Sequence, residues 1–82
     1  MNEIVIEVYV PAINKVFDLV VPSKARVYEV TPLLNGIISR LAEGLYISND
    51  AILCERRTGK IYRKDVTLEE VNIKNASRVM LI

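Results

Sequence analysis

The chain has 82 residues, with eleven basic and ten acidic side chains giving a formal net charge of +1, and 51% of it is hydrophobic. That length allows one domain with one modest core, and the apolar content excludes a disordered segment. Near-balanced charge argues against nucleic acid as a partner, because such binders carry a large basic excess.

Residues 1–82 are read as a single domain. The one cysteine, Cys54, excludes an internal disulfide and fits a reducing compartment. No run approaches the ~18 apolar residues that cross a bilayer. Met1-Asn2-Glu3-Ile4 also lacks the basic start and long apolar stretch of a signal peptide. The expectation is a cytoplasmic protein with no transmembrane segment.

Residues 3–10 alternate, with Ile4, Ile6, Val8 and Val10 on one face and Glu3, Val5, Glu7 and Tyr9 on the other. A period of two predicts a half-buried strand. Pro11-Ala12-Ile13-Asn14 then predicts a turn. Alternation resumes over 15–21, with Phe17, Leu19 and Val21 inward and Lys15 and Asp18 outward, so the two strands form an antiparallel hairpin.

After Pro22 the spacing changes to three and four at Val27, Val30, Leu34, Ile37/Ile38, Leu41 and Leu45, the apolar stripe of a helix. Thr31-Pro32 has the form of an N-cap followed by proline. The reading is therefore an irregular or 3-10 first turn from residue 27 and a regular helix by Pro32. Gly44 supplies the stop.

A third strand is predicted over 51–57, a turn at Thr58-Gly59-Lys60, and a short fourth strand at Ile61-Tyr62-Arg63. Thr67-Leu68-Glu69-Glu70 has the capping pattern of one helical turn, with the Thr67 hydroxyl aimed at the Glu70 amide. Ser77 to Ile82 is the last strand. The order β-β-α-β-β-β, with the helix as a crossover, predicts an α+β domain. Its mixed sheet has the first and last strands as parallel neighbours, with one helix covering one face.

This order is that of the ubiquitin-like (β-grasp) superfamily. Gly59-Lys60, Thr67-Leu68, Asn72-Ile73 and Ser77 followed by alternating apolar residues resemble ubiquitin's closing segment at matching spacing. Val16-Phe17-Asp18-Leu19-Val20-Val21-Pro22, a short polar stretch and the helix stripe resemble the YukD/EsaB family, cytoplasmic accessory proteins of type VII (ESX/Ess) secretion systems. The resemblance implies a non-catalytic module. It also implies a protein partner, such as the cytoplasmic part of a membrane component of the secretion system.

The chain departs from ubiquitin in ending Val79-Met80-Leu81-Ile82, where modifiers and sulfur carriers need a flexible Gly-Gly tail. A modifier whose tail lies beyond Ile82, or an adaptor unrelated to secretion, stays open. The main recognition position of ubiquitin falls at Glu55 or Arg56, so partners that read that patch are not expected.

The residues that carry chemistry are few. There is no histidine, which removes the commonest general base and metal ligand. Cys54 has no basic partner of that kind and reads as a small buried hydrophobe. Glu69 and Glu70 read as a solvated turn, and the isolated glycines make no phosphate loop. No catalytic, cofactor or metal site is therefore expected.

Two surfaces remain. Arg56, Arg57, Lys60, Arg63 and Lys64 place five cations within nine residues, a basic hairpin that either docks an acidic partner surface, nucleic acid or anionic lipid, or is a solvated hairpin whose charges guard against edge aggregation. Val5, Tyr9, Met80 and Ile82 face away from the helix on adjacent strands. They form a candidate interface for a partner or for a second copy of the chain.

Overall fold

The alternation over 3–10 builds strand β1 (Glu3–Val10), with Ile6, Val8 and Val10 completely buried. The structure is a computed structural model that describes residues 2–44 and 50–82. Strand β2 (Lys15–Pro22) pairs antiparallel with β1 in unbroken register from Glu3↔Pro22 to Val10↔Lys15. The connection is a 3-10 turn, Pro11–Ile13, closed by Asn14 at φ 50° with its N–H on the Pro11 carbonyl at 3.1 Å. Asparagine tolerates this left-handed conformation better than most side chains.

Helix α1 spans Val27–Leu41 and is α-helical from its first residue, earlier than the Thr31-Pro32 signal predicts. The reason lies outside the helix. The N–H groups of Val27 and Tyr28, which have no intrahelical acceptor, donate to the carbonyls of Val66 at 2.9 Å and Lys64 at 3.1 Å. The Glu29 carboxylate accepts the Arg26 N–H at 2.9 Å.

With its first turn satisfied in this way, the helix runs through Pro32. The ring forfeits only the bond to the Tyr28 carbonyl, and both residues lie on the exposed side. Thr31 is not a cap; its hydroxyl donates back to the Val27 carbonyl at 2.8 Å.

The buried stripe is Val27, Val30, Leu34 and Ile38, continued by Ala42 rather than Leu41, which is 55% exposed. Leu45 lies outside the described residues. The helix closes as a Schellman motif, with the Gly44 N–H on the Ser39 carbonyl and the Glu43 N–H on the Arg40 carbonyl.

Strands β3 (Leu53–Glu55) and β4 (Arg78–Leu81) complete one sheet of order β2-β1-β4-β3. The central pair β1–β4 is parallel, as the element order predicts, and β3–β4 is antiparallel. Two strand expectations are corrected. The strand expected at 51–57 is three residues long, because the chain turns at Arg56 and the Gly59 N–H closes on the Glu55 carbonyl at 2.8 Å, with Gly59 at φ 75°. The strand expected at 61–63 contracts to one bridge, Cys54↔Ile61, because Tyr62 turns against the core. Among the described residues the sheet therefore has four strands, not five.

Residues 67–70 form hydrogen-bonded turns rather than a regular helical turn, but their predicted cap is present. The Glu70 N–H donates to the Thr67 hydroxyl and the Thr67 N–H to the Glu70 carboxylate, both at 3.1 Å. Leu68 and Ile73 close the core beneath this segment.

Gly36 lies on the exposed side of α1, and a methyl group there would meet nothing within 4 Å. Gly36→Ala is expected to stabilise the fold by about 1 kcal/mol, read as a rise in melting temperature of roughly 4–8 °C. Leu34→Ala, beneath the same turn, is expected to lower stability by about 2–5 kcal/mol.

Candidate protein-interaction surface

Helix α1 covers one face of the sheet, and the side chains of the other face lie in rows set by the strand register. Tyr9 of β1 is opposite Val16 of β2 and opposite Met80 of β4, which in turn is opposite Cys54 of β3. Val16, Tyr9, Met80 and Cys54 thus form one apolar row across the sheet. Val16 is 46% exposed, Tyr9 and Met80 are half-buried, and Cys54 is sealed. A second apolar row pairs Val5 with Val20, which is 57% exposed.

Between these rows runs a charged one. Asp18, Glu7 and Arg78 share a register, and Arg56 reaches across from the edge to place Nη1 2.7 Å from Glu7 Oε2. Arg78 Nε is 3.5 Å from the same oxygen, so two guanidiniums share one carboxylate. The Arg56 guanidinium also lies over the Tyr9 ring, 4.7 Å from its centroid, in cation–π contact. The face is therefore patterned: two apolar rows with an ion-paired row between them.

Of the residues expected at an interface, Tyr9 and Met80 come together as register neighbours. Val5 shares their face but stands two residues along β1, beyond Glu7. Ile82 is exposed past the end of β4, its backbone exchanging two 2.9 Å hydrogen bonds with Ile52. Val16 and Val20 belong to the same face and were missed. The alternation over 15–21 contained the signal, since both are outward if Phe17, Leu19 and Val21 are inward.

The basic hairpin divides. Arg56 and Arg57 line a shallow concavity with Glu7 and Arg78, whereas Lys64 lines a cleft of about 250 Å³ against Tyr28 and Thr31 of α1. Arg63 pairs with Asp65 at 3.0 Å in full solvent. Among the described residues no carboxylate lies within ion-pair distance of Arg57, Lys60 or Lys64.

The groups that could do chemistry are held in structural roles. Cys54 is inaccessible, and burial pushes its thiol above the usual value. Burial, followed by the neighbouring Glu55 and Cys54, raises the Tyr62 phenol likewise. Hydrogen bonds from the Thr67 amide and then the Thr67 hydroxyl hold the Glu70 carboxyl below its ordinary range. Among the described residues no group of three or more potential metal ligands is brought together.

No protein-family profile matches the chain, and no curated protein matches it in sequence. Solved structures do match in shape. The ubiquitin-like domain of EccD5 from Mycobacterium xenopi superposes with a TM-score of 0.84 at 15% identity, over 100% of this chain and 94% of that one. The ubiquitin-like domain of the type VII secretion system protein ECCD1 of Mycobacterium tuberculosis gives 0.80 at 12% identity, over 100% and 99%. A chain of the MycP5-free ESX-5 inner membrane complex gives 0.83 at 20% identity, covering 100% of this chain and 21% of that one. At these identities the likeness shows the fold: the chain is a ubiquitin-like β-grasp.

Two outcomes test the structural roles of Cys54 and Glu70. Cys54 is expected to resist a thiol-specific reagent in the native protein and to react at once in denaturant; rapid native labelling would show an accessible thiol. Because Glu70 titrates lower when folded, its contribution to stability is fully present above its ordinary value of 4.5 and is lost as the pH falls through the depressed value. An acid-unfolding titration of Glu70→Gln should therefore show a shallower decline across that window than wild type.

Proposed function

We propose that the chain is a non-catalytic, ubiquitin-like interaction protein of a bacterial type VII secretion system, of the YukD/EsaB kind. It acts in the cytoplasm by docking on the cytoplasmic part of a membrane component. The observation that carries this reading is the full-length superposition on EccD domains of that system, at TM-scores of 0.84 and 0.80. The same fold serves many unrelated functions, so the shape supports the reading together with the resemblance of residues 16–22 and does not stand alone.

Those residues now have a physical place. Val16 to Pro22 form the edge strand β2, with Phe17, Leu19 and Val21 toward the helix and Val16, Asp18 and Val20 on the open face. Among the described residues no helix is long and apolar enough to cross a membrane.

Docking through Tyr9 and Met80 suits an interface whose centre is apolar and aromatic, with charges at its rim. The exposed cations Arg57 and Lys60 of the hairpin supply steering toward an acidic surface.

The test is an affinity capture from the native host, comparing wild type with Tyr9→Glu/Met80→Glu after both are shown to be folded. Secretion-system proteins are expected on wild type and reduced by about tenfold or more on the variant. If a folded variant retained them, the site would move to the hairpin. If wild type captured none, a ubiquitin-like adaptor outside secretion would remain.

A further inference from the structure

We propose that the outer edge of β2 docks an extended segment of another protein, which joins the sheet as a further strand. That segment carries a lysine or arginine opposite Asp18 and apolar residues on either side of it. The proposal concerns a surface other than Tyr9 and Met80 and does not rest on the secretion reading.

Among the described residues β2 ends the sheet order β2-β1-β4-β3. The backbone groups of a strand point alternately to its two sides. On β1 the Glu7 N–H donates to the Ser77 carbonyl and the Val5 carbonyl accepts from Ala76, so this set of residues serves β4. Ile4, Ile6, Val8 and Val10 therefore serve β2, through their partners Val21, Leu19, Phe17 and Lys15. The N–H and C=O groups of Val16, Asp18 and Val20 are left directed outward, in one row along the edge.

This edge has few of the features that keep strands apart. It pairs over eight residues without a bulge, and its one proline, Pro22, stands at the far end. Val16 and Val20 are exposed on the open face, and Phe17 and Leu19 are only half-buried on the helix side. An added strand covers apolar surface on both faces while it satisfies the backbone row.

Asp18 decides what that strand carries. It is exposed and directly opposite Glu7, and among the described residues no cation lies within ion-pair distance of it. Arg56 and Arg78 both go to Glu7. Like charges opposite one another on paired strands are destabilising, and a cation on the outer side of Asp18 offsets this.

The same carboxylate disfavours a second copy of β2 as the occupant. Two such edges paired antiparallel in the centred register set Asp18 against Asp18. A slip of one hydrogen-bonding step sets it against Val16 or Val20 instead. The complementary segment has one basic residue with apolar residues one and two positions to either side. It suits both strand directions, because Val16 and Val20 flank Asp18 symmetrically.

The probe is a capped peptide, Ser-Val-Ile-Lys-Ile-Val-Ser, titrated into the intact chain up to about 1 mM with amide shifts followed. Resonances from Val16 to Val20 are expected to move, and solvent exchange of the Val16, Asp18 and Val20 amides to slow. Methylating the backbone nitrogen of the peptide's lysine keeps every side chain but removes a hydrogen the edge needs, and is expected to abolish binding. Glutamate in place of that lysine is expected to weaken binding about threefold to tenfold, and Asp18→Lys, an exposed change, to reverse the preference.

Absence of binding, binding indifferent to the methyl group, or a preference that Asp18→Lys leaves unchanged overturns the proposal. Shifts that map to Tyr9 and Met80 or to the hairpin overturn it equally, as does self-association of the chain through β2. Capture of secretion proteins through Tyr9 and Met80 reads a different surface, so each reading fails on its own experiment.

Discussion

The constraint on which the rest of this structure depends is the parallel pairing of β1 with β4. Parallel neighbours cannot be joined by a tight turn, so the chain must leave the sheet and return. The return path here includes α1, and right-handed crossover places that helix on one face only. Everything else follows from this asymmetry. Ile6, Val8, Val10, Val79 and Leu81 are buried on the helix side, and the residues between them are left on the far side, where Arg56 lies over Tyr9.

The crossover is held at one place by backbone. Residues 64–69 run beside residues 23–28, with the Leu68 N–H on the Ala25 carbonyl and the Glu69 N–H on the Ser23 carbonyl, both at 3.0 Å. The Arg26 guanidinium adds a 2.6 Å bond to the Asp65 carbonyl. This strap supplies the acceptors for the first helical amides, so the start of the helix is determined by residues about forty positions later. The same strap puts Leu68 into the core, which couples the Thr67–Glu70 cap to packing as well as to local backbone geometry.

That long-range dependence explains what sequence reasoning reached and where it stopped. Both hairpin strands, the parallel centre of the sheet and the lower half of the helix stripe are legible because period and element order are local or topological properties. That the first turn from Val27 is regular α-helix is not, because the acceptors for its amides lie at Lys64 and Val66; the local Thr31-Pro32 signal is real but overridden. Leu41 and Ala42 exchanged places because three- and four-residue steps fit the stripe equally well at its end. On the open face, Tyr9 and Met80 were legible from alternation, and so in principle were Val16 and Val20. The sharing of Glu7 by Arg56 and Arg78 was not, since nothing local relates residues 49 and 71 positions apart.

The ion-paired row changes what the open face can do. A sheet face carrying only Val5, Val16, Val20, Tyr9 and Met80 would be sticky in any orientation and would associate without specificity. Glu7 with two arginines interrupts the apolar surface at its centre, and the cation–π contact of Arg56 with Tyr9 joins the charged row to the apolar one. Like-charged apposition then penalises wrong orientations, whereas the apolar rows favour close approach in every orientation. The register β2-β1-β4-β3 that set the core in place is also what orders the charges across it.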